Sequence, residues 1–173
     1  MTRTPTRTAT ATALVLVAAL AAPAAAAASA PPRRARCLGV GDTRHDADPL
    51  RVRPCLGTAG QRFTLDGGRV KVTDTVGTAR EMCLDVDYTG ENGDDVRIWS
   101  CERSRAGRAN QTWLLREGSF VLQRTVGTAD EMCVDVGPAR DDGDAVFLAT
   151  CGPADPDQAF VLDDGAIEVR DTL

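Results

Sequence analysis

The stretch Thr75-Val-Gly-Thr-Ala-Arg-Glu-Met-Cys-Leu-Asp-Val86 returns almost unchanged as Thr125-Val-Gly-Thr-Ala-Asp-Glu-Met-Cys-Val-Asp-Val136. A fixed period of this kind marks a repeated structural unit. The cysteines extend the pattern to a third copy, because Cys37 and Cys55, Cys83 and Cys101, and Cys133 and Cys151 are each 18 positions apart. The closing Thr172-Leu173 aligns with Thr75-Val76 and Thr125-Val126, which makes the last unit complete. The units run over residues 37–76, 77–126 and 127–173. One such unit cannot bury a core alone, so the three must share one.

Within a unit, short apolar runs alternate with Gly, Asp and Pro. The middle unit shows them at Met82 to Val86, Val96 to Cys101, Thr112 to Leu115 and Phe120 to Leu122. The third unit has Cys133 to Val136, Val146 to Cys151, Ala159 to Leu162 and Ala166 to Val169, and the first has weaker versions beginning at Cys37, Leu50, Arg62 and Arg69. Runs this short with turn residues between them are strands. No segment keeps helical apolar spacing over three turns, so the fold class is all-β, with three repeats of four strands.

Ahead of the repeats, Arg3 and Arg7, the apolar stretch Ala13 to Ala22 and the small-residue run Ala24 to Ala30 form a secretory signal. Its apolar part is too short to span a membrane, and no later stretch is longer. Residues 1–28 are therefore expected to be a cleaved signal peptide, residues 29–36 a Pro/Arg-rich tail, and residues 37–173 a secreted, extracellular domain. Losing Arg3 and Arg7 makes the net charge of −5 two units more negative. That argues against a nucleic-acid partner.

Six cysteines allow fifteen pairings. Their equal spacing favours one bridge per unit, and export makes oxidation plausible. Thiolate metal ligation would need close Cys-x-x-Cys pairs, which are missing, and neither a metal nor a cofactor is expected. Alternation along the second strand of each unit turns Leu50 and Val52, Val96 and Ile98, and Val146 and Leu148 to the core. Arg51 and Arg53, Arg97 and Trp99, and Phe147 and Ala149 then face outward, so Trp99 is expected to be exposed. The first strand turns Leu84 and Val86 inward and Cys83 and Asp85 outward. If Cys83 lies opposite Cys101, Asp85 lies opposite Trp99, Gly39 opposite Arg53 and Asp135 opposite Ala149. An exposed ring facing a carboxylate suits a sugar, whose C–H face stacks while its hydroxyls donate hydrogen bonds. The alternative is a tryptophan that covers a disulfide beside an aspartate in a turn.

Cys83-Leu-Asp85, Trp99-Ser-Cys101 and Asn110-Gln111-Thr-Trp113 resemble the ricin B-chain lectins and family 13 carbohydrate-binding modules, over residues 37–173. The Gln-x-aromatic signature recurs as Gln61-Arg-Phe63, Gln111-Thr-Trp113 and Gln158-Ala-Phe160. The resemblance implies a β-trefoil that binds glycans or polysaccharide, of galactose-type or related plant or microbial sugars. It implies that Asp85 accepts from two hydroxyls, Trp99 stacks, Asn110 bonds a ring hydroxyl and Gln111 holds Asp85. Arg97 adds a donor. The third unit keeps Asp135, Asp157 and Gln158 but has Ala149 at the stacking position, with Phe147 as a substitute, and is expected to be a weak or dead site. Gly39 and Arg53 leave the first unit structural. Phe63, Trp113 and Phe160 are expected in the core.

Other classes have weaker support. Asp94-Asp95, Asp141-Asp142 and Asp163-Asp164 could hydrolyse a glycoside, but each pair lies beside a glycine, as turns do. The only histidine, His45, stands in a polar segment, and no Gly-x-Ser-x-Gly elbow is present, so no catalytic residue is assigned and no enzyme is expected. Asp85-x-Asp87-x-Thr89-Gly90 imitates a calcium loop but has Val96 at the twelfth position. A β-trefoil protease inhibitor could present Arg103, Arg105 and Arg108 on the loop Glu102 to Ala109. A degenerate lectin without sugar binding is the remaining alternative. Asn110-Gln-Thr112 is also a glycosylation sequon. The oligomeric state is not encoded in any of these features.

Overall fold

A computed structural model describes residues 35–173. The expected signal peptide, and all of the expected tail except Ala35 and Arg36, lie outside the described residues. The first unit contributes β1 (Arg36–Gly39), β2 (Arg51–Pro54), β3 (Phe63–Asp66) and β4 (Arg69–Val72). The second contributes β5 (Met82–Asp85), β6 (Arg97–Ser100), β7 (Trp113–Arg116) and β8 (Ser119–Leu122), and the third β9 (Met132–Asp135), β10 (Phe147–Thr150), β11 (Phe160–Asp163) and β12 (Ala166–Val169). The expected four strands per unit are present. The one α-helical segment among the described residues is a single turn, α1 (Arg105–Arg108), inside the expected loop Glu102 to Ala109. Ser104 caps it by accepting from the Gly107 amide at 3.1 Å.

The third and fourth strands of each unit form a hairpin whose two turn residues have positive φ: Gly67 and Gly68, Glu117 and Gly118, Asp164 and Gly165. Such turns match the right-handed twist of the strands they join. Each sheet then combines this hairpin with the first two strands of the following unit, in the orders β3-β4-β5-β6, β7-β8-β9-β10 and β11-β12-β1-β2. No unit folds on its own strands alone, which is why the repeats share a core. The last sheet joins the end of the chain to its beginning. There Cys37 pairs with Glu168, and the Arg36 amide donates to Thr172 Oγ1 at 2.9 Å. Met82 and Met132 donate in the same way to Thr75 and Thr125, so the aligned threonines do one job in all three units.

Where the second strands begin, the Leu50 amide donates to Val96 O, Val96 to Val146 O, and Val52 to Asp144 O, at 2.9–3.0 Å. These bonds link the three sheets into a barrel. Leu50, Val52, Val96, Ile98, Val146 and Leu148 fill it and are fully buried, as alternation requires. Phe63, Trp113 and Phe160 are also core residues. The fold is a β-trefoil.

Disulfides join Cys37 to Cys55, Cys83 to Cys101 and Cys133 to Cys151, one per unit as expected. The expected register is incorrect by two residues. Asp85 pairs with Arg97 and Cys83 with Trp99; Gly39 pairs with Arg51; Asp135 pairs with Phe147 and Cys133 with Ala149. A disulfide needs only a suitable Cα separation, here 5.0 Å, and a residue just beyond the end of a twisted strand can supply it diagonally. The expected exposures are corrected as well. Cys83 and Asp85 point to the outer face of the sheet yet are buried by what packs over them, and Trp99 is half-buried.

Candidate functional site

The first two strands of the middle unit and the segment after α1 surround a cleft of about 130 Å³, lined by Asp85, Val86, Tyr88, Arg97, Trp99, Glu102, Gly107 and Asn110. Four of the five residues expected to act at this site, Asp85, Arg97, Trp99 and Asn110, line it. The fifth, Gln111, lies behind them and is fully buried.

Gln111 ties three chain segments together. Its Oε1 accepts from the Glu102 amide at 2.8 Å, and its Nε2 donates to Ser100 O at 3.2 Å and to Asp85 Oδ2 at 3.0 Å. Gln61 and Gln158 make the matching backbone bonds, accepting from Leu56 N and Gly152 N and donating to Pro54 O and Thr150 O. The glutamine therefore pins the end of the second strand in every unit. Orienting an aspartate is an additional task, performed only where one is present.

Arg97 holds the other Asp85 oxygen, its Nε lying 3.3 Å from Oδ1, and its guanidinium carbon sits 5.2 Å from the centre of the Trp99 ring. A guanidinium over an indole face is an attractive arrangement. Burial pushes the Asp85 carboxyl above the ordinary aspartate range, against the opposing pull of Gln111 and Arg97. Trp99 is the cross-strand neighbour of the bridged Cys83 as well as a wall of the cleft. Its ring thus borders the disulfide and also presents a surface to whatever enters.

Asn110 is placed by its backbone, because its carbonyl accepts from the Val86 amide at 3.3 Å. Its residue is only 5% exposed, and among the described residues its side-chain amide makes no hydrogen bond. Asp157 O and Gly60 O accept from Val136 N and Val40 N in the other two units. The residue before the glutamine is thus held alike three times, and only its side chain differs.

In the third unit the corresponding groups are already satisfied. Asp135 accepts from the Gly137 amide at 2.7 Å and from Gln158 Nε2 at 3.0 Å. Arg140, its side chain nearly buried, is ion-paired with Asp157 and, at 2.9 Å, with Asp171. Burial still raises the Asp157 carboxyl above its ordinary range despite this partner. Phe147, half-buried, stands opposite Asp135. The first unit has Gly39, Arg53 and Gly60 in the key positions, and a Cβ on Gly39 would sit 3.0 Å from Gln61 Cγ.

Sequence reasoning missed Tyr88, Glu102 and Gly107 in the cleft and Arg140 at the third unit. The sequence signal for Arg140 is that it stands, one period on, where the middle unit has Gly90; in the structure both have positive φ, 55° and 63°. Tyr88 is the only tyrosine in the chain. The acidic pairs lie at turns: Asp94 accepts from the Glu91 amide at 2.9 Å, the Asp141 amide donates to Asp144 Oδ2 at 2.7 Å, and Asp164 is a hairpin residue with positive φ. Cys37, Cys55 and Glu168 lie close enough to resemble a metal set, but a disulfide leaves no thiolate to coordinate. No helix among the described residues is long and apolar enough to cross a membrane.

The protein is a disulfide-stapled β-trefoil with a small cleft lined by charged, polar and aromatic side chains. The sequence profile of the ricin-type β-trefoil lectin domain matches residues 30–160, and the chain belongs to that family. Its members are lectins, so the domain is a carbohydrate-binding one. No curated protein matches the chain in sequence. The crystal structure of ThreeFoil, a designed protein with three-fold symmetry, shares 20% identity with it over 80% of this chain and 94% of that one, with a TM-score of 0.46.

Proposed function

We propose that the protein is a secreted lectin that binds galactose-type or related sugars through one site, the cleft of the middle unit. Asp85 accepts from two adjacent hydroxyls, the Trp99 ring carries the apolar sugar face, Asn110 bonds a ring hydroxyl and Arg97 adds a donor. Gln111 acts through Asp85 as a positioning residue. The observation that carries this reading is the contrast between units: Asn110 lines the cleft and its side-chain amide makes no hydrogen bond among the described residues, whereas Asp157 is held by Arg140.

In this reading residues 1–28 are a signal peptide, residues 29–36 a tail and residues 37–173 the lectin domain. The domain binds sugar without hydrolysing it. The inhibitor alternative is disfavoured by Arg105 and Arg108, which lie in a helical turn where a protease would need an extended segment. A sugar on one ring with a few exposed hydrogen bonds binds in about the millimolar to high-micromolar range. A glycan array on residues 29–173, followed by calorimetric titration with galactose-, xylose- and arabinose-containing oligosaccharides, tests the proposal. Binding lost in Trp99→Ala supports it. Silence across the array assigns the protein to the degenerate lectins.

A further inference from the structure

The middle cleft carries more negative charge than a neutral sugar needs. Asp85 and Glu102 line it, and Asp87 lies at its edge, 4.0 Å from Arg97. Arg97 is the single cation in the lining, and it is committed to Asp85 and to the Trp99 ring. Glu102 has no such counterion: among the described residues its carboxylate makes no hydrogen bond and no ion pair.

Glu102 is also placed deliberately. A Cβ added to Gly107 would fall 2.5 Å from Glu102 Cγ and 2.9 Å from its carboxyl carbon. Glycine at 107 is thus what lets the acidic side chain lie against α1 at the cleft. The other units have Leu56 and Gly152 at this position, directly after the second cysteine, so the extra carboxylate belongs to the middle unit alone. Asn110, buried and unpartnered, opens on the same space and offers both an acceptor and donors.

We propose that this cleft selects a hexosamine residue with a free amine, whose ammonium is held by Glu102 while Trp99 and Asp85 take the ring and its hydroxyls. An ammonium supplies the charge that the lining lacks and donates up to three hydrogen bonds. A neutral hexose satisfies Glu102 only as a hydroxyl acceptor, N-acetylation removes the cation, and a uronic acid meets like charge. The inference rests on the middle cleft being the sugar site.

The test is calorimetric titration of residues 29–173 with a β-1,4-linked glucosamine tetramer, its N-acetylated counterpart and a galactose oligosaccharide, at about pH 6, where an amine is protonated. The free-amine tetramer is expected to bind about tenfold more tightly than the acetylated one, the size of one charge-assisted hydrogen bond. Glu102→Gln should remove that advantage, since glutamine keeps an acceptor for a hydroxyl but no charge for an ammonium, while Asp130→Asn, a surface control, should change the affinity for none of the sugars. An equal affinity for both tetramers, or an advantage that survives Glu102→Gln, overturns the inference while galactose binding keeps the sugar-site reading alive. Loss of all binding to every sugar overturns both.

Discussion

Arg140 is ion-paired with Asp157, 17 residues further along the chain. Its guanidinium reaches from a left-handed backbone position across the outer face of the third unit to that carboxylate and to Asp171. The middle unit has Gly90 at the same position and Asn110 in place of Asp157. In the third unit a side chain of the protein itself therefore stands against Asp157, whereas Asn110 in the middle unit faces a cleft.

Arg140→Gly combined with Asp157→Asn and Ala149→Trp should convert the third unit into a second binding site. The glycine relieves a positive φ, which costs a non-glycine residue roughly 1 kcal/mol, and removes a guanidinium whose Nε is buried without a partner. Titration should then show two sites per chain instead of one. A stoichiometry that stays at one would mean that Phe147, opposite Asp135, closes the site independently of Arg140.

Asp85→Ala and Trp99→Ala should each abolish detectable sugar binding while leaving the melting temperature nearly unchanged. The alanine at 85 removes one of the two acceptors of Gln111 Nε2 and leaves the other, Ser100 O, which limits the loss of stability. Asp135→Ala should have little effect on binding. An equal loss in Asp85→Ala and Asp135→Ala would overturn the single-site assignment.

Binding should weaken on acidification at a higher pH than an ordinary aspartate would give. The Asp85 carboxyl is raised by burial, and only its ionised form can accept from two hydroxyls. The sign for folding is the opposite. A raised folded value means that Asp85 contributes stability when protonated, and that this contribution is lost as pH rises through the folded value. Asp85→Asn should therefore raise the melting temperature at neutral pH and do nothing below the carboxylate range. Thermal melts of both proteins across pH, alongside titrations of the unmodified chain, check the two signs together.

Replacing Gln61, Gln111 or Gln158 by Ala should destabilise the protein by roughly 2–4 kcal/mol in each case, since every one leaves a backbone amide and carbonyl at the strand end without their partner. Only Gln111→Ala should also weaken sugar binding. Chemical denaturation read beside titration separates the shared staple from the added positioning role.

Removing one disulfide, as in Cys133→Ala with Cys151→Ala, should cost about 3 kcal/mol in the chain-entropy treatment of an 18-residue separation. The middle cleft should keep its sugar affinity in that variant, measured below its melting transition. Peptide mapping without reductant should return the three bridges within units.

Much of the architecture could be read directly from the chain. Three equal cysteine spacings and the copied segment at Thr75 and Thr125 impose a period. Alternation then dictates which of Val96, Arg97, Ile98 and Trp99 face the core, because successive side chains on a strand must point to opposite sides. Those rules are local, and they yielded the twelve strands and the disulfide pairs, while the core placement of Phe63, Trp113 and Phe160 followed from the family resemblance. Register is not local. It depends on where the twisted strands of a hairpin come closest, and so Asp85 meets Arg97 instead of Trp99. Burial of an outward-facing residue is not local either: Asp85 is covered by Gln111, which arrives 26 residues later. The same holds for the state of each site. Asp135 and Asp157 stand in the sequence beside Ala149, which already marks the third unit as a weak or dead site, but only the packed structure brings Arg140 to Asp157, because that contact joins segments whose meeting the shared core decides.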